Sequence, residues 1–272
     1  MTSYPMIPTI TAHSGCDNTP ADSLESVSQG IASGADIVEI DVRMSRDRIL
    51  VLSHDFDSSL YYPDSPRVEA AFEIILAVNG TAVNCDVKEA AAIPAILELA
   101  GRCRIPKDRL YLSGSVTPGI LRRIPDLMER CRVLWNLEEA LVPFAEKKLI
   151  EEKRGDLLPV LYSDLWRVLR EHLPDPDPYA EQLVSLAGMF AIDTFNMPFQ
   201  IATDERIMFF SRNGFGVSVW TVDEPEMITQ YLRAGVRNIT TRNAKTAVQL
   251  KTQFFRQQDG NPIQGRTGAA AI

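Results

Sequence analysis

Short apolar segments alternate with segments of helical periodicity along almost the whole chain. The apolar segments predict strands at residues 9–13, 36–42, 82–88, 110–113, 133–136, 189–193, 216–221 and 238–241, with a short extension at 49–52. Eight main strands, each followed by one or more helices, predict a single (β/α)8 TIM barrel, a fold of the α/β class that typically needs about 250 residues. A doubly wound open sheet has the same alternation and is the alternative fold.

Capping residues and long connections mark the limits of several predicted elements. Asp22 and Glu25 have the spacing of a capping box, so we expect Asp22 to be the N-cap of a helix that ends before Gly34. Two connections are unusually long, at residues 55–81 and 137–188, and they predict insertions after the second and fifth barrel strands.

The composition is that of a soluble globular protein, and the length allows one large domain or two small ones. The 272 residues are 45% hydrophobic and 24% charged, which argues against a disordered chain. We expect a barrel over residues 1–250 and a C-terminal tail over residues 251–272. The net charge of −8 lacks the basic character of nucleic-acid-binding proteins, so we expect no nucleic-acid partner. No secretory signal and no apolar run of about 20 residues is visible, so we expect a cytoplasmic protein without a membrane anchor.

The four cysteines predict little chemistry. Cys16, Cys85, Cys103 and Cys131 are widely spaced and form no Cys-x-x-Cys pair. In a protein expected in the cytoplasm they are most simply reduced thiols, and a four-cysteine zinc site is the alternative.

Two of the predicted strands carry polar residues on one face. Alternate side chains of a strand point to opposite faces, so Glu39 and Asp41 share a face of the second strand. Asn84, Asp86 and Lys88 share a face of the third strand in the same way. Their apolar neighbours would pack under the helices. The polar side chains would then lie inside the barrel, near the C-terminal strand ends where barrel active sites are found.

Ionised carboxylates that are buried without a partner are costly, so three inward acidic residues favour a bound cation. Glu39, Asp41 and Asp86 offer oxygen ligands, which suit a hard ion such as Mg²⁺ or Ca²⁺. The alternative is a buried salt-bridge network of these carboxylates with Lys88 or Arg43. The spacing is compatible with both.

Two of the three histidines fall at the same predicted rim of the barrel. His13 ends the first strand, and His54 follows the short apolar extension. His172 lies in a charged helical stretch, where we expect it to be solvated. Histidine is the side chain whose ordinary pKa suits proton transfer near neutral pH. His13 and His54 beside a carboxylate cluster therefore indicate acid–base catalysis.

These residues stand in a series of motifs that resembles the glycerophosphodiester phosphodiesterase family, a group of metal-dependent TIM-barrel phosphodiesterases. The motifs are His13-Ser14-Gly15, Pro20-Ala21-Asp22-Ser23, the stretch from Gly34 to Val42, Ser53-His54-Asp55, the stretch from Asn84 to Lys88, Val219-Trp220-Thr221-Val222, and the stretch from Gly235 to Thr241. The resemblance covers most of residues 7–250, thinly over 105–187. Each motif is weak alone, but the set in this order, with both histidines in place, is specific.

The resemblance implies a hydrolase that converts glycerophosphodiesters to glycerol phosphate and an alcohol. It also implies three metal ligands and two general acid–base groups, which are Glu39, Asp41, Asp86, His13 and His54. Lys88 would hold the phosphate and stabilise the charge on its oxygens in the transition state. The implied cofactor is a divalent cation, Mg²⁺ or Ca²⁺, and the implied partner is a small-molecule phosphodiester. In the family, the glycerol hydroxyl beside the phosphoester attacks first, and water then opens the cyclic phosphate.

Other strand-end residues are candidates for substrate binding. Trp220 has the parity of Ser218 and should face inward, where the family motif implies contact with glycerol and position alone favours a core role. Asn136 and Ser113 end the fifth and fourth strands and are candidates to line the pocket. The alternative is that these two polar residues only form turns.

The chain departs from the family pattern at four positions. Asp22 stands in place of the family's asparagine, and Asp86 in place of its more usual glutamate, which is a mild change. The family's arginine after the first histidine is Ser14 here, and the glutamate of its Pro-Glu-Asn-Thr motif is Ala21. Without that arginine a bidentate grip on phosphate is lost, which Lys88 does not reproduce. Arg43 has the parity of the acidic pair in its strand and is the candidate to replace it in substrate binding.

Glycerophosphodiester hydrolysis is the leading functional hypothesis, and two alternatives stay open. One keeps the chemistry but changes the substrate to a lysophospholipid or another diester. The other is a catalytically silent barrel that binds a phosphodiester or a protein partner. The oligomeric state is also open, a homo-oligomer included.

Overall fold

The computed structural model describes residues 7–55, 65–163, 168 and 177–259. Its strands are β1 Thr9–Ala12, β2 Ile37–Met44, β3 Leu50–Leu52, β4 Ala82–Val87, β5 Leu110–Gly114, β6 Arg132–Val133, β7 Trp135–Asn136, β8 Thr194–Pro198, β9 Gly216–Trp220 and β10 Asn238–Thr241. Its α-helices are α1 Leu24–Ala32, α2 Val68–Leu76, α3 Ile93–Cys103, α4 Pro118–Arg123, α5 Leu127–Arg130, α6 Leu137–Glu151, α7 Leu158–Ser163, α8 Asp177–Met189, α9 Asp204–Arg212, α10 Pro225–Ala234 and α11 Ala244–Asp259.

Nine parallel strands form a nearly closed barrel. Their order is β6-β5-β4-β2-β1-β10-β9-β8-β7, and β3 pairs antiparallel with the outer end of β2. The two end strands, β6 and β7, are separated in the chain by Leu134 alone, whose amide donates to the Leu112 carbonyl of β5 at 2.9 Å. β6 and β7 therefore fill one position between β5 and β8. The barrel has eight positions, and the predicted (β/α)8 fold is confirmed.

The alternation along β2 and β4 separates an outer apolar face from an inner polar face. The side chains that join the hydrophobic core are Val38, Ile40, Val42, Val83, Cys85 and Val87. On the inner face, Glu39 lies beside Asn84 in the strand register, and Asp41 lies beside Asp86. The predicted faces of both strands are therefore correct, and they bring acidic residues of neighbouring strands together.

One predicted strand is wrong in position. We expected a strand at residues 189–193, but β8 begins after them. Met189 ends α8, and Ala191 has a left-handed backbone with φ of 53°, so the apolar run forms a helix end and a turn. The barrel strand β8 follows, and its side chains alternate between the two faces. Phe195 lies in the core, and Asn196 lines the barrel interior.

The start of α1 also differs from the prediction. Ser23 is the N-cap, and its hydroxyl accepts the Ser26 amide at 3.0 Å. Asp22 has a left-handed backbone with φ of 54° and makes no cap, so its predicted role as N-cap is wrong. Gly34 follows the helix with φ of 78°, as expected of a residue that ends a helix in the left-handed region.

The two predicted insertions lie partly outside the described residues. After β2, the described part forms β3 and α2, and residues 56–64 are outside it. After β7, the described part forms α6, α7 and α8, and residues 164–167 and 169–176 are outside it. His172 falls in the last of these segments.

The last helix packs against the start of the barrel. α11 continues past residue 250, the predicted end of the barrel, to Asp259. Lys251 on this helix donates to the Asp36 carboxylate at 2.7 Å, and the same carboxylate accepts the Ile10 amide of β1 at 2.7 Å. Within the described part of the chain, none of the helices has the length and apolar character needed to span a bilayer.

Candidate active site

The C-terminal ends of the parallel strands surround a cavity of about 400 Å³. The residues predicted to be catalytic or metal-binding line it, namely His13 after β1, Glu39 and Asp41 on β2, His54 after β3 and Asp86 on β4. Lys88 after β4, predicted to bind substrate, lines it as well. β1, β2 and β4 are neighbours in the barrel. Residues far apart in the sequence therefore meet at one rim.

Glu39, Asp41 and Asp86 form an acidic cluster, in which one oxygen of each carboxylate lies within 4.8 Å of the others. Glu39 and Asp41 are buried, and Asp86 is partly buried. Burial raises the pKa of Glu39 well above its usual range, and the charges of Asp41 and Asp86 raise it further. The cluster therefore favours the presence of positive charge.

Lys88 lies against two members of the acidic cluster. Its Nζ forms ion pairs with Asp41 and, at 2.6 Å, with Asp86. Burial would lower the pKa of Lys88, but these two carboxylates outweigh it and raise the pKa. Burial would raise the pKa of Asp41, but the Lys88 ammonium group lowers it overall. Glu39 stands outside this pairing, and its Oε2 lies 3.8 Å from Nδ1 of His13.

The donor set of the acidic cluster fits a hard divalent cation. Three carboxylate oxygens within reach of one another are the ligands that Mg²⁺ and Ca²⁺ prefer. Glu39 is the critical member, because its Oε2 accepts the Ser14 amide at 2.8 Å while Lys88 faces the other two carboxylates. An ionised Glu39 at this buried position needs a further positive charge, which a cation held by the cluster would supply.

His13 is held as a neutral ring. Its Nδ1 lies 2.8 Å from the Ser14 carbonyl oxygen, which can only accept, so the neutral ring carries its one proton on Nδ1 and Nε2 is the acceptor. Burial lowers the pKa of His13, and the charge of Arg242 acts in the same direction. The Ser14 carbonyl and the carboxylates of Asp41 and Asp86 oppose this lowering without cancelling it. His13 therefore suits the role of a proton acceptor near neutral pH.

His54 is anchored through its main chain. Its amide donates to Asp22 Oδ2 at 2.8 Å, and its carbonyl accepts two N–H groups of Arg43, at 3.1 and 2.9 Å. The His54 side chain is 61% exposed, against 20% for His13. Its Nδ1 lies 2.9 Å from the Asp55 carboxylate. The surrounding residues thus fix the position of the loop and leave the ring facing the open side of the cavity.

The structure does not bring Arg43 into the lining of the cavity, although the sequence made it a candidate for substrate binding. Besides the His54 carbonyl, its guanidinium contacts Glu89 Oε2 at 2.9 Å, and Glu89 Oε1 accepts the Met44 amide at 2.6 Å. The reason is that β2 continues beyond the rim to pair with β3. Position 43 therefore has the parity of the acidic pair but lies past the cavity.

The floor of the cavity is polar on two sides. Asn84 Nδ2 donates to Ser113 Oγ at 2.9 Å, and Ser113 Oγ donates to Asp86 Oδ1 at 2.7 Å. Across the barrel, Asn196 Nδ2 donates to Asn136 Oδ1 at 2.8 Å. Asn136 and Ser113 both line the cavity, and their contact with a substrate stays a prediction.

Trp220 lines the cavity at the end of β9, and its contact with glycerol likewise stays a prediction. Its Nε1 is buried and has no hydrogen-bond partner within the described residues. The same holds for Oδ1 of Asn84 and of Asn196. One donor and two acceptors of cavity-lining residues are thus buried without a partner in the described part of the chain.

The structure brings four residues to the site that the sequence motifs do not identify, which are Asp22, Glu89, Asn196 and Arg242. Asp22 was interpreted as a helix cap, and Asn196 was missed because its strand was predicted too early. Nothing in the sequence connected Glu89 with position 43. Arg242 could have been predicted from the sequence, because it directly follows the last predicted strand and so falls at the same rim as His13.

The fold and the site together define a (β/α)8 barrel whose cavity combines an acidic cluster with two histidines at the C-terminal strand ends. A protein-family model described as the glycerophosphoryl diester phosphodiesterase family matches residues 13–62. This match confirms the resemblance stated from the sequence. No curated protein sequence has a significant match to the chain.

Several solved structures share the fold. A glycerophosphodiester phosphodiesterase from Parabacteroides distasonis is 14% identical with a TM-score of 0.67, and the alignment covers 93% of this chain and 100% of that chain. The glycerophosphodiester phosphodiesterase from Thermotoga maritima is 18% identical with a TM-score of 0.59, covering 91% and 99%. An Oleispira antarctica phosphodiesterase in complex with the product sn-glycerol-3-phosphate is 16% identical with a TM-score of 0.66, covering 90% and 96%. These likenesses establish the barrel fold.

Proposed function

We propose that the chain hydrolyses glycerophosphodiesters to glycerol phosphate and an alcohol, using a divalent cation and two histidines. The observation that carries the proposal is that His13, His54, Lys88 and the acidic cluster surround one cavity. The family match over residues 13–62 supports it, since that segment holds both histidines and two members of the cluster. The product bound to the Oleispira antarctica enzyme supports the same product here.

Glu39, Asp41 and Asp86 would hold Mg²⁺ or Ca²⁺. When bound, the cation would offset the charge of the phosphate and polarise it toward attack. Lys88, which is fixed by two carboxylates, keeps an ammonium group beside the cluster. That group would stabilise the charge that develops on the phosphate oxygens in the transition state.

The two histidines would move the protons. Nε2 of neutral His13 takes the proton of the glycerol hydroxyl that attacks phosphorus. His54 gives a proton to the oxygen of the leaving alcohol as its P–O bond breaks. In the second step, water attacks the cyclic phosphate and gives a proton to His54, while His13 returns its proton to the glycerol oxygen. Both histidines then have their starting protonation.

Phosphorus NMR on the purified chain tests the proposal. Glycerophosphocholine, glycerophosphoethanolamine, glycerophosphoglycerol and a lysophospholipid are each offered with Mg²⁺, with Ca²⁺ or with EDTA. We expect a cation-dependent conversion of the glycerophosphodiesters to glycerol phosphate. Faster conversion of the lysophospholipid would assign a different substrate, and binding of diesters without turnover would indicate a silent barrel.

His54→Ala tests the role of the histidine with the least risk to folding, because the ring is largely exposed and the loop is held by its main chain. We expect kcat to fall by about 10²- to 10⁴-fold, the usual contribution of a general acid or base. The melting temperature serves as the control and should stay that of the wild type. An active His54→Ala variant would contradict the proposed mechanism.

A further inference from the structure

We infer that Arg242 binds the phosphate oxygens of the substrate, from the strand next to the one that carries His13. The inference rests on the proposed function, and it assigns a binding role to a residue that the family motifs in this chain do not include. Arg242 directly follows β10, and its side chain lines the cavity.

The backbone places Arg242 beside the first histidine. β10 pairs in parallel with β1, and the His13 amide donates to the Thr241 carbonyl at 2.9 Å. One residue further along, the Arg242 carbonyl accepts the Asp17 amide at 2.7 Å. These two bonds fix the main chain on both sides of position 242 to the loop that follows β1. Arg242 therefore starts from a defined point on the rim.

The permanent cations in the lining of the cavity, within the described residues, are Lys88 and Arg242. Lys88 is engaged by two carboxylates of the acidic cluster, so most of its charge is already balanced. Arg43 is directed to the His54 carbonyl and to Glu89. Arg242 is thus the cation of the rim that lies apart from the acidic cluster.

The guanidinium of Arg242 is held in place by Asp223 and keeps further N–H donors for a ligand. Its Nη1 contacts Asp223 Oδ2 at 3.2 Å, and the Asp223 Oδ1 atom accepts the Arg242 amide at 2.7 Å. No hydrogen bond of Nε or Nη2 is found within the described part of the chain. The Arg242 side chain is 52% exposed, so these donors can reach a ligand in the cavity. A guanidinium offers its donors as a planar fork that matches two phosphate oxygens.

The electrostatic influence of Arg242 extends to the reacting groups. Its charge lowers the pKa of His13, next to the larger effect of burial. Between Arg242 and Lys88 lie β1 and β2, so the two cations flank the strands that carry His13 and the acidic pair. A phosphate at the mouth of the cavity would then have a cation on each side. This arrangement supplies the anion-binding group that position 14, a serine, lacks.

Binding of sn-glycerol-3-phosphate and of inorganic phosphate, measured by calorimetry in the presence of Mg²⁺, tests the inference without turnover. We expect Arg242→Gln to weaken the binding of both ligands by about 10- to 100-fold, the loss of one or two charge-assisted hydrogen bonds. Arg242→Lys keeps the charge but not the fork, so its affinity should fall between those of the wild type and Arg242→Gln.

Arg212→Gln is the matched control. Arg212 is an exposed arginine at the end of α9, in the connection that leads into the start of β9, so it lies at the opposite end of the barrel from the cavity. This variant should bind both ligands as the wild type does. A melting curve of Arg242→Gln separates weaker binding from unfolding, because an exposed ion pair such as Arg242–Asp223 contributes little stability.

The possible outcomes separate this inference from the proposed function. If Arg242→Gln binds glycerol phosphate as tightly as the wild type, or if the wild type binds neither ligand, the inference is wrong. If Arg242→Gln affects only a diester with an acidic leaving group, such as glycerophosphoserine, then Arg242 contacts that group and the inference is equally wrong. Binding that depends on Arg242 in a protein without turnover supports the inference and overturns the proposed hydrolysis.

Discussion

Gly114, the last residue of β5, allows the acidic cluster to form. It has φ of 74°, and a Cβ atom there would overlap the Val87 carbonyl oxygen and approach Asp86 Oδ1 to 2.9 Å. Gly114→Ala should therefore lower the free energy of unfolding by about 2–4 kcal/mol, through backbone strain and overlap. It should also weaken Mg²⁺ or Ca²⁺ binding by moving Asp86. Chemical denaturation and calorimetry measure the two effects.

Gly101 provides the control for this substitution. It lies in α3, and a Cβ atom there would meet nothing within 4 Å. Gly101→Ala should raise the free energy of unfolding by about 0.5–1 kcal/mol, because alanine loses less backbone entropy in a helix than glycine. Equal effects of the two substitutions would contradict the idea that position 114 is limited by its contacts.

Arg43 and Arg242 show what a residue's position in the sequence can and cannot predict. Alternation assigned Arg43 the inward parity of Glu39 and Asp41, but alternation does not say where a strand leaves the barrel. β2 passes the rim and turns into β3, so Arg43 acts outside the cavity. Arg242 ends its strand at the rim and does line the cavity. Which arginine lines the cavity depends on its position along the barrel axis. That position follows from the strand register, which the sequence alone does not give.

The hairpin of β2 and β3 is the element that positions His54. Arg43 on β2 donates to the His54 carbonyl and is itself fixed by Glu89. Arg43→Gln removes both ends of this connection, and we expect kcat to fall by about 10-fold while KM stays near that of the wild type, since a misplaced proton donor slows chemistry more than binding. Steady-state kinetics measure the split between the two constants. Arg43 is in this sense a positioning residue.

Two further variants make this prediction specific. Glu89→Gln should reproduce the loss of kcat in part, because Arg43 keeps its bonds to His54 but loses its charged partner. Arg48→Asn is the control, since Arg48 is exposed in the same hairpin and has a left-handed φ of 60° that asparagine tolerates. A rise in KM with unchanged kcat in Arg43→Gln would show instead that Arg43 binds substrate.

At the level of elements, local sequence patterns correctly predicted the inward-facing residues of strands that have one apolar face. β2 and β4 alternate strictly, so the inner positions of the acidic cluster could be predicted. β8 could not, because the apolar run at residues 189–192 has the composition of a buried strand and is used to end α8. That error hid Asn196. Asp22 was missed for a related reason, since a capping residue and a site residue have the same local signature.

The whole barrel, rather than any one element, sets the charge balance of the site. β2 and β4, which pair across the β3–α2 connection, bring three carboxylates and one lysine together, so the balance follows from the strand order. The family resemblance supplied this topology in advance and therefore predicted the ligand set. The resemblance could not show that Lys88 pairs with Asp41 and Asp86. Because of this pairing, Glu39 is the carboxylate of the cluster that has no ammonium group beside it.

Removal of the cation should therefore make the stability of the whole molecule depend on pH through Glu39. Burial raises the pKa of Glu39 in the folded state above that of the unfolded chain. Its contribution to stability is then fully present below the unfolded pKa and is lost as pH rises through the folded pKa. In EDTA, we expect the wild type to lose stability relative to Glu39→Gln between acidic and neutral pH. Melting curves of both proteins over that range measure the difference.

The cation should reverse this order at neutral pH. A ligand that binds only the folded protein stabilises it by about 2.7 kcal/mol at 100 times its Kd, so Mg²⁺ or Ca²⁺ should raise the melting temperature of the wild type. Glu39→Gln loses one charged ligand of the cluster and should respond less. Parallel curves for both proteins, with and without cation, would mean that the acidic cluster is balanced by Lys88 alone. The site would then be the salt-bridge network that the sequence left as the alternative.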